Sequence, residues 1–244
     1  AELMAITVTS LGTAQGKSAG IVVNLTDGVA AGDVFVVVYA GDTAVSTVAN
    51  RHSLQRTATL GDDSVEDAVA SNTGNVIIAI HRIVATQTTA WDGTYPRIFF
   101  NSEGTPDSKA IAVYKVTGLA ATPFDKSATA VNTGTAPSST ATATLTQADE
   151  LIIGGVGTEG PDEDTAGTWT TGTGNVSGNE QRLGTTGAGA ASNITVSSAA
   201  EVVAATDAQT AAKTGITSRD WAAAVATYKA TAGGPQTYSL DCSD

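Results

Sequence analysis

Side chains that commonly carry chemistry are scarce and scattered in this chain. There are two histidines, His52 and His81, and a single cysteine, Cys242, close to the end. A structural or catalytic zinc site needs three or four His, Cys or carboxylate ligands, which this set does not supply. His81 sits inside the apolar run 75–84 and reads as a satisfied inward or edge residue, not as a base or a ligand. No Gly-x-Ser-x-Gly elbow, Walker loop or His-Glu-x-x-His occurs. Gly172-Thr-Gly174 and Gly187-Ala-Gly189 do not stand between a strand and a helix, so neither is expected to cradle phosphate.

Two acidic clusters come closest to a metal site: Asp62, Asp63, Glu66 and Asp67, then Asp162, Glu163 and Asp164. Calcium takes six to eight oxygens, and neither cluster has the EF-hand spacing. Both read as solvated acids, the first on a loop or one short helix, so no metal or other cofactor is expected. Glycoside hydrolysis requires two carboxyl groups held rigidly at a set separation; acids on surface loops do not provide it, and no enzymatic role is expected. The loop aromatics Trp91, Tyr95 and Trp169 suit a protein interface or caps over the core, since aromatics bury much area at low entropic cost. A sugar-stacking platform is the other use for them.

The elements that would position these residues are strands. Val34–Tyr39 is wholly apolar or aromatic, and β-branched side chains fit a pleated, packed surface. Further strands are expected at 6–9, 19–25, 75–84, 97–100, 109–117, 138–145, 149–156, 194–196, 201–206 and 221–229. Residues 43–50 alternate only weakly and 51–60 could continue as an exposed strand or ribbon, while 118–134 and 157–191 read as loop. No sustained 3.6-residue apolar period appears, so the fold class is all-β, a sandwich or barrel with Gly-rich turns.

Two pairs of strands repeat at a common offset. Asp33-Val-Phe-Val-Val-Val-Tyr is matched by Asp149-Glu-Leu-Ile-Ile-Gly-Gly-Val about 116 residues later, and Lys109–Gly118 by Trp221–Ala230 at about 114. The shared offset predicts a structural duplication in which matching strands serve both sheets of a single sandwich.

The 244 residues suffice for one large all-β domain or two small ones. With 12 basic against 24 acidic residues the formal charge is -12, which argues against a nucleic-acid binder needing clustered Lys and Arg. One cysteine allows no intrachain disulfide. The start, Ala1-Glu-Leu-Met-Ala-Ile-Thr-Val, shows no basic region or long apolar run, so no secretion signal is expected, and no 18-residue apolar window suggests a membrane helix. The organisation expected is an N-terminal arm and first strand at 1–18, one sandwich at 19–230 and a C-terminal arm at 231–244. In that arm Tyr238 and Leu240 alternate with polar residues, a pattern that could add an edge strand to a neighbouring copy, with Gly233-Gly-Pro235 as hinge; the alternative is a tail that packs back on its own sandwich.

The segments Val29–Tyr39, Ala110–Ala120, Asp149–Gly157 and Ser218–Lys229 resemble jelly-roll sandwich domains of bacteriophage structural proteins and bacterial surface proteins. The resemblance covers roughly residues 19–230 and carries no catalytic signature. It implies a non-enzymatic virion structural protein on the capsid surface, a decoration or cement protein made in the host cytoplasm. Its partners would be the major capsid protein and copies of itself, without nucleic acid or membrane. The second reading is a tail-associated or cell-surface adhesin that binds glycans.

Overall fold

Val34–Gly41 forms β3, buried along almost its whole length, because both faces of this strand are covered. The computed structural model describes residues 5–17, 20–42, 52–101, 108–160, 167–178, 180–184, 193–231 and 239–241, and these contain no helix. Around β3 lie β1 (Thr7–Gly16), β2 (Gly20–Asn24), β4 (His52–Gln55), β5 (Gly61–Asn72), β6 (Val76–Val84), β7 (Arg97–Asn101) and β8 (Lys109–Thr117). Five of them run β5-β6-β3-β8-β1, every neighbour antiparallel. The others, β2-β7-β4, cover one face and join the same sheet through the β4–β5 hairpin. The sheet thus curls almost into a barrel, with β1 and β2 facing each other unpaired. Phe35, Val37, Tyr39, Leu54, Ile77, Ile98 and Phe100 fill its interior, Tyr39 stacked on Phe100 with ring centroids 4.4 Å apart.

The second half repeats this order. It contains β9 (Leu119–Gly134), β10 (Glu150–Glu159), β11 (Thr168–Trp169), β12 (Gln181–Gly184), β13 (Ile194–Val203), β14 (Lys213–Thr214) and β15 (Arg219–Ala230). Its five-stranded sheet runs β12-β13-β10-β15-β9, again antiparallel throughout. Strand for strand in chain order, β9, β10, β12, β13 and β15 take the places of β1, β3, β5, β6 and β8. The covering layer is matched as well. Residues 137–145 bond to 206–213 as β2 does to β7, through Ser139 N–H to Ala211 O, Thr142 N–H to Gln209 O and Leu145 N–H to Thr206 O. There β11 pairs with β14 as β4 does with β7.

The two halves stack through their five-stranded sheets, sealing a core of Val36, Val38, Ile78, Ile80, Leu151, Ile153, Ala224, Ala226 and others. Their contacts obey an approximate two-fold rotation. β15 lies on β5 and β6 as β8 lies on β12 and β13; β9 meets β5 as β1 meets β12; β10 meets β6 as β3 meets β13; and β10 crosses β3 at the axis. This is an isologous interface inside one chain. It is closely spaced, since a Cβ on Gly155 would stand 2.6 Å from Val38 Cγ1. The halves are joined at Gly118 alone, whose φ of +79° suits glycine and turns β8 directly into β9.

The all-β expectation and the recurring strand pairs therefore stand, with a different arrangement: each half closes its own two layers instead of sharing one sandwich. Several boundaries need correction. The first strand, expected at 6–9, runs on to Gly16. The segment 62–70, read as loop or one short helix, lies in β5, and 118–134, read as loop, is mostly β9. The edge strand β9 sends Leu119 and Phe124 against the core between the halves and is otherwise mostly small and polar, and Pro123 sits where such a strand tolerates it. The C-terminal segment returns to its own chain. β16 (Ser239–Asp241) pairs in parallel with Thr7–Thr9 of β1, so over these residues the segment takes the alternative in which the tail packs back on its own body.

Val36→Asp puts an unpaired charge in the dry core between the halves and is expected to cost about 4 kcal/mol or more. Gly155→Val overpacks the same interface at about 1–3 kcal/mol. Urea midpoints read both; parental midpoints would show that this core does not hold the halves together.

Candidate interaction surface

On β7 the residues alternate between core and surface. Ile98 and Phe100 point into the first half, leaving Arg97 and Phe99 on the outer face, with Tyr95 just before the strand across a cis Tyr95–Pro96 bond. The Arg97 guanidinium lies 4.7 Å from the centre of the Tyr95 ring and 5.5 Å from that of Phe99. Its Nε donates to Gln55 Oε1 at 2.8 Å from the next strand. Phe99 rests on the bare backbone of Gly20 and stands opposite Val22 and Ser53 in the ladder. Asp92 Oδ1 accepts the N–H groups of Thr94 and Tyr95 at 2.8 and 2.7 Å, fixing the turn that presents Tyr95. The result is a half-buried strip of two aromatic rings gripping a cation, held before any partner arrives. Cation–π contacts and side-chain hydrogen bonds limit the freedom such a strip would lose on binding.

Among the predicted residues, Trp91 and Tyr95 are half-buried in the loop before β7. Of its two expected roles Trp169 takes the core cap and not the interface. It lies in β11, is 7% exposed, and packs with Ile152, Val176, Ala211 and Val225, so it caps the second half's core. The Lys213 ammonium stands 5.5 Å from its ring centre. Tyr238 lies outside the described residues. Leu240 is in β16, opposite Val8. Arg97 and Phe99 were missed, although the alternation Tyr95-Pro-Arg97-Ile-Phe99 after a proline was there to place them on one strand face.

The first acidic cluster does not converge. Alternation along β5 separates its members, and most meet partners. Asp62 is buried against Arg56 at 3.2 Å and accepts from the Thr86 hydroxyl at 2.6 Å and its N–H at 3.2 Å. Asp67, past a bulge, faces the other half and is paired with Arg82 at 3.2 Å. Burial raises its carboxyl above the usual range, an effect that Arg82 opposes. Asp63 is exposed. The second cluster, Asp162–Asp164, lies outside the described residues, as does Cys242. His52 lies in β4, and its backbone stands opposite Phe100. His81 is fully buried, its Nδ1 3.2 Å from Ser64 Oγ and its Nε2 4.0 Å from Glu66.

Across the halves Tyr114 of β8 bonds Ser198 of β13 at 2.7 Å, while the Tyr228 phenol of β15 lies near Asp67 of β5. Burial raises both phenols above their ordinary range. A cavity of about 460 Å³ opens at the unpaired seam between β1 and β2, with Leu11, Leu25 and Phe35 as floor and Asn24, Thr26 and Lys115 on its wall. Lys115 is paired there with Asp33 at 2.7 Å. Comparison with protein-family models, curated proteins and solved structures gives no match to this chain.

Burial drives the His81 pKa down from 6.5 to about 3, so the ring is neutral in the fold. Its contribution to stability is present above about pH 6.5 and is lost as pH falls toward 3. Nitrogen-15 spectra at pH 5 should show a neutral His81 ring in the folded protein; a ring titrating near 6.5 would contradict this environment.

Proposed function

We propose that the chain is a non-enzymatic structural protein of a bacteriophage particle, a decoration or cement protein on the capsid surface. The observation that carries this reading is the build of the molecule. Two matching sandwiches are locked back to back through a dry interface, and their covering layers face outward at opposite ends. In this reading each half is a jelly roll, since the chain threads its eight segments through the two layers in the same two-Greek-key wrap. The ionisable groups of the first acidic cluster are largely spent on internal pairs, which suits a rigid building block. The Tyr95–Arg97–Phe99 strip gives the first covering layer a preorganised contact for the major capsid protein or another copy. Tyrosine and arginine are the residue types on which interface energy concentrates.

A glycan-binding adhesin is the second reading, favoured by the seam cavity with its aromatic floor and polar wall. The two part experimentally. A decoration protein co-purifies in fixed ratio with capsid heads and ignores sugars, whereas an adhesin binds host cells as the isolated protein. Under the first reading, Arg97→Ala and Phe99→Ala each lower affinity for heads at least about tenfold, corresponding to about 1.4 kcal/mol, with melting temperatures near the parent's. Unchanged occupancy by both variants would remove the strip from the contact.

A further inference from the structure

The internal duplication lets one half serve as a reference for the other. Val34 and Glu150 hold the same place, first in the central strand after Asp33 and Asp149. Leu11 and Asp125 also correspond. Each stands at a register shift, in the first strand of its half, next to the residue facing Tyr114 or Tyr228. Where the first half has Leu11 and Val34, the second therefore has two carboxyl groups.

Asp125 is well provided for as an anion. Oδ2 accepts Thr146 N–H at 2.9 Å, Oδ1 accepts the Thr146 hydroxyl at 2.8 Å, and Lys126 Nζ lies 3.2 Å away. Glu150 is not. It is fully buried, and its carboxyl lies against Asp125, the Thr227 hydroxyl and the Gln147 N–H, with neither oxygen in a well-formed hydrogen bond. The other charged groups near its face are Lys126 on β9, Lys229 directly across on β15, Glu201 two pairs further along β13, and Asp149 beside it. No ion pair joins Glu150 to Lys229, and Glu201 accepts Ser177 N–H instead.

The turn that brings Thr146 to Asp125 also holds the exit of β15. Gln147 Nε2 donates to Asp149 O at 3.4 Å and Ala230 O at 3.3 Å, and Ala230 N–H donates back to Asp149 O at 3.2 Å. From Ala230 the chain runs on toward β16.

We propose that Asp125 and Glu150 share one proton and act as a pH-operated catch that fastens the 146–149 turn, and with it the root of the C-terminal segment. Protonated Glu150 donates to ionised Asp125, filling the one hydrogen bond that two bare carboxylates cannot make. When the proton leaves, two like charges face each other across a site closed at Glu150 and open to solvent at Thr146, and the turn held by Asp125 is the part free to give way. The directions of titration agree with this. Burial alone would raise Asp125, but the Thr146 bonds and Lys126 outweigh it and hold the carboxyl below its usual range. Burial lifts Glu150 to about 7, with Thr227 opposing and the Asp125 charge adding. The two members of the pair are thus pushed apart, as when carboxyls share a proton.

The Glu150 contribution is fully present below about pH 4.5 and is lost as pH rises through about 7. His81 acts in the opposite sense over part of this range, while Asp67 and Glu159, both raised by burial, act in the same sense. The parent must therefore be compared with Glu150→Gln, whose carboxamide keeps a donor toward Asp125. Melting temperatures of the full chain are measured from pH 5 to 8.5, in EDTA and in calcium, with proteolysis of the C-terminal segment followed alongside. The parent should lose several degrees relative to the variant as pH rises, and its C-terminal cleavage should speed up several-fold between pH 6 and 8 while the variant's stays constant. Parallel pH curves would overturn the proposal. So would calcium raising the parent's melting temperature at pH 8 but not the variant's, which would make the pair a cation site. Should the variant fail to fold, the side-chain carboxyl carbon of Glu150 in the parent decides by NMR: a midpoint near neutrality supports the catch, and one at 4–5 refutes it.

Discussion

Two five-stranded sheets meeting face to face are the constraint from which the rest of the structure follows. Their contact is dry and built largely of small or β-branched side chains, with Ala222, Ala224 and Ala226 of β15 and Gly155 of β10 set against Val36, Val38 and Ile78. Because both sheets are covered on both faces, their central strands read as unbroken apolar runs. Each half must then supply its own second layer to cover the face turned away from the other. The three cores are consequences of that stacking order.

A buried interface makes any polar group inside it expensive unless it is satisfied, and two of those present are satisfied across the halves. Tyr114 meets Ser198, and Gln181 Nε2 donates to Val113 O at 3.1 Å. Such bonds contribute modest net energy but penalise any other register heavily, because a slip leaves them buried and unmade. The duplicate halves have diverged chiefly where they do not touch. The first closes its layers through the β4–β5 hairpin, whereas β11 and β14 of the second form a separate two-stranded piece.

Strands that the stacking buries on both sides were legible in the sequence, since their apolar runs are unmistakable. β5 was not, because its inward positions carry Asp62 and Ser64, made tolerable by Arg56 across the hairpin and by Thr86 and His81 further along the chain. β9 was not, because an edge strand packed on one side by alanine and threonine leaves no periodic signal. The repeated strand pairs announced a duplication, yet sequence offset says nothing about whether two copies interleave or stack. For the surface strip the aromatic Tyr95 was visible, but the value of Arg97 depends on rings at positions 95 and 99 meeting it on one face.

The single glycine between the halves has a consequence for how the chain is made. Residues 7–117 are complete as a set of strands before any of the second half has been synthesised, and their back sheet then presents a large apolar surface. An isologous surface is by nature complementary to its own kind, so two nascent first halves compete with the intended match. Gly118 decides that contest by proximity. A tether of one residue holds the second half at an effective concentration far above that of any neighbouring chain, and the self-complementary face is claimed from within before it can recruit a stranger.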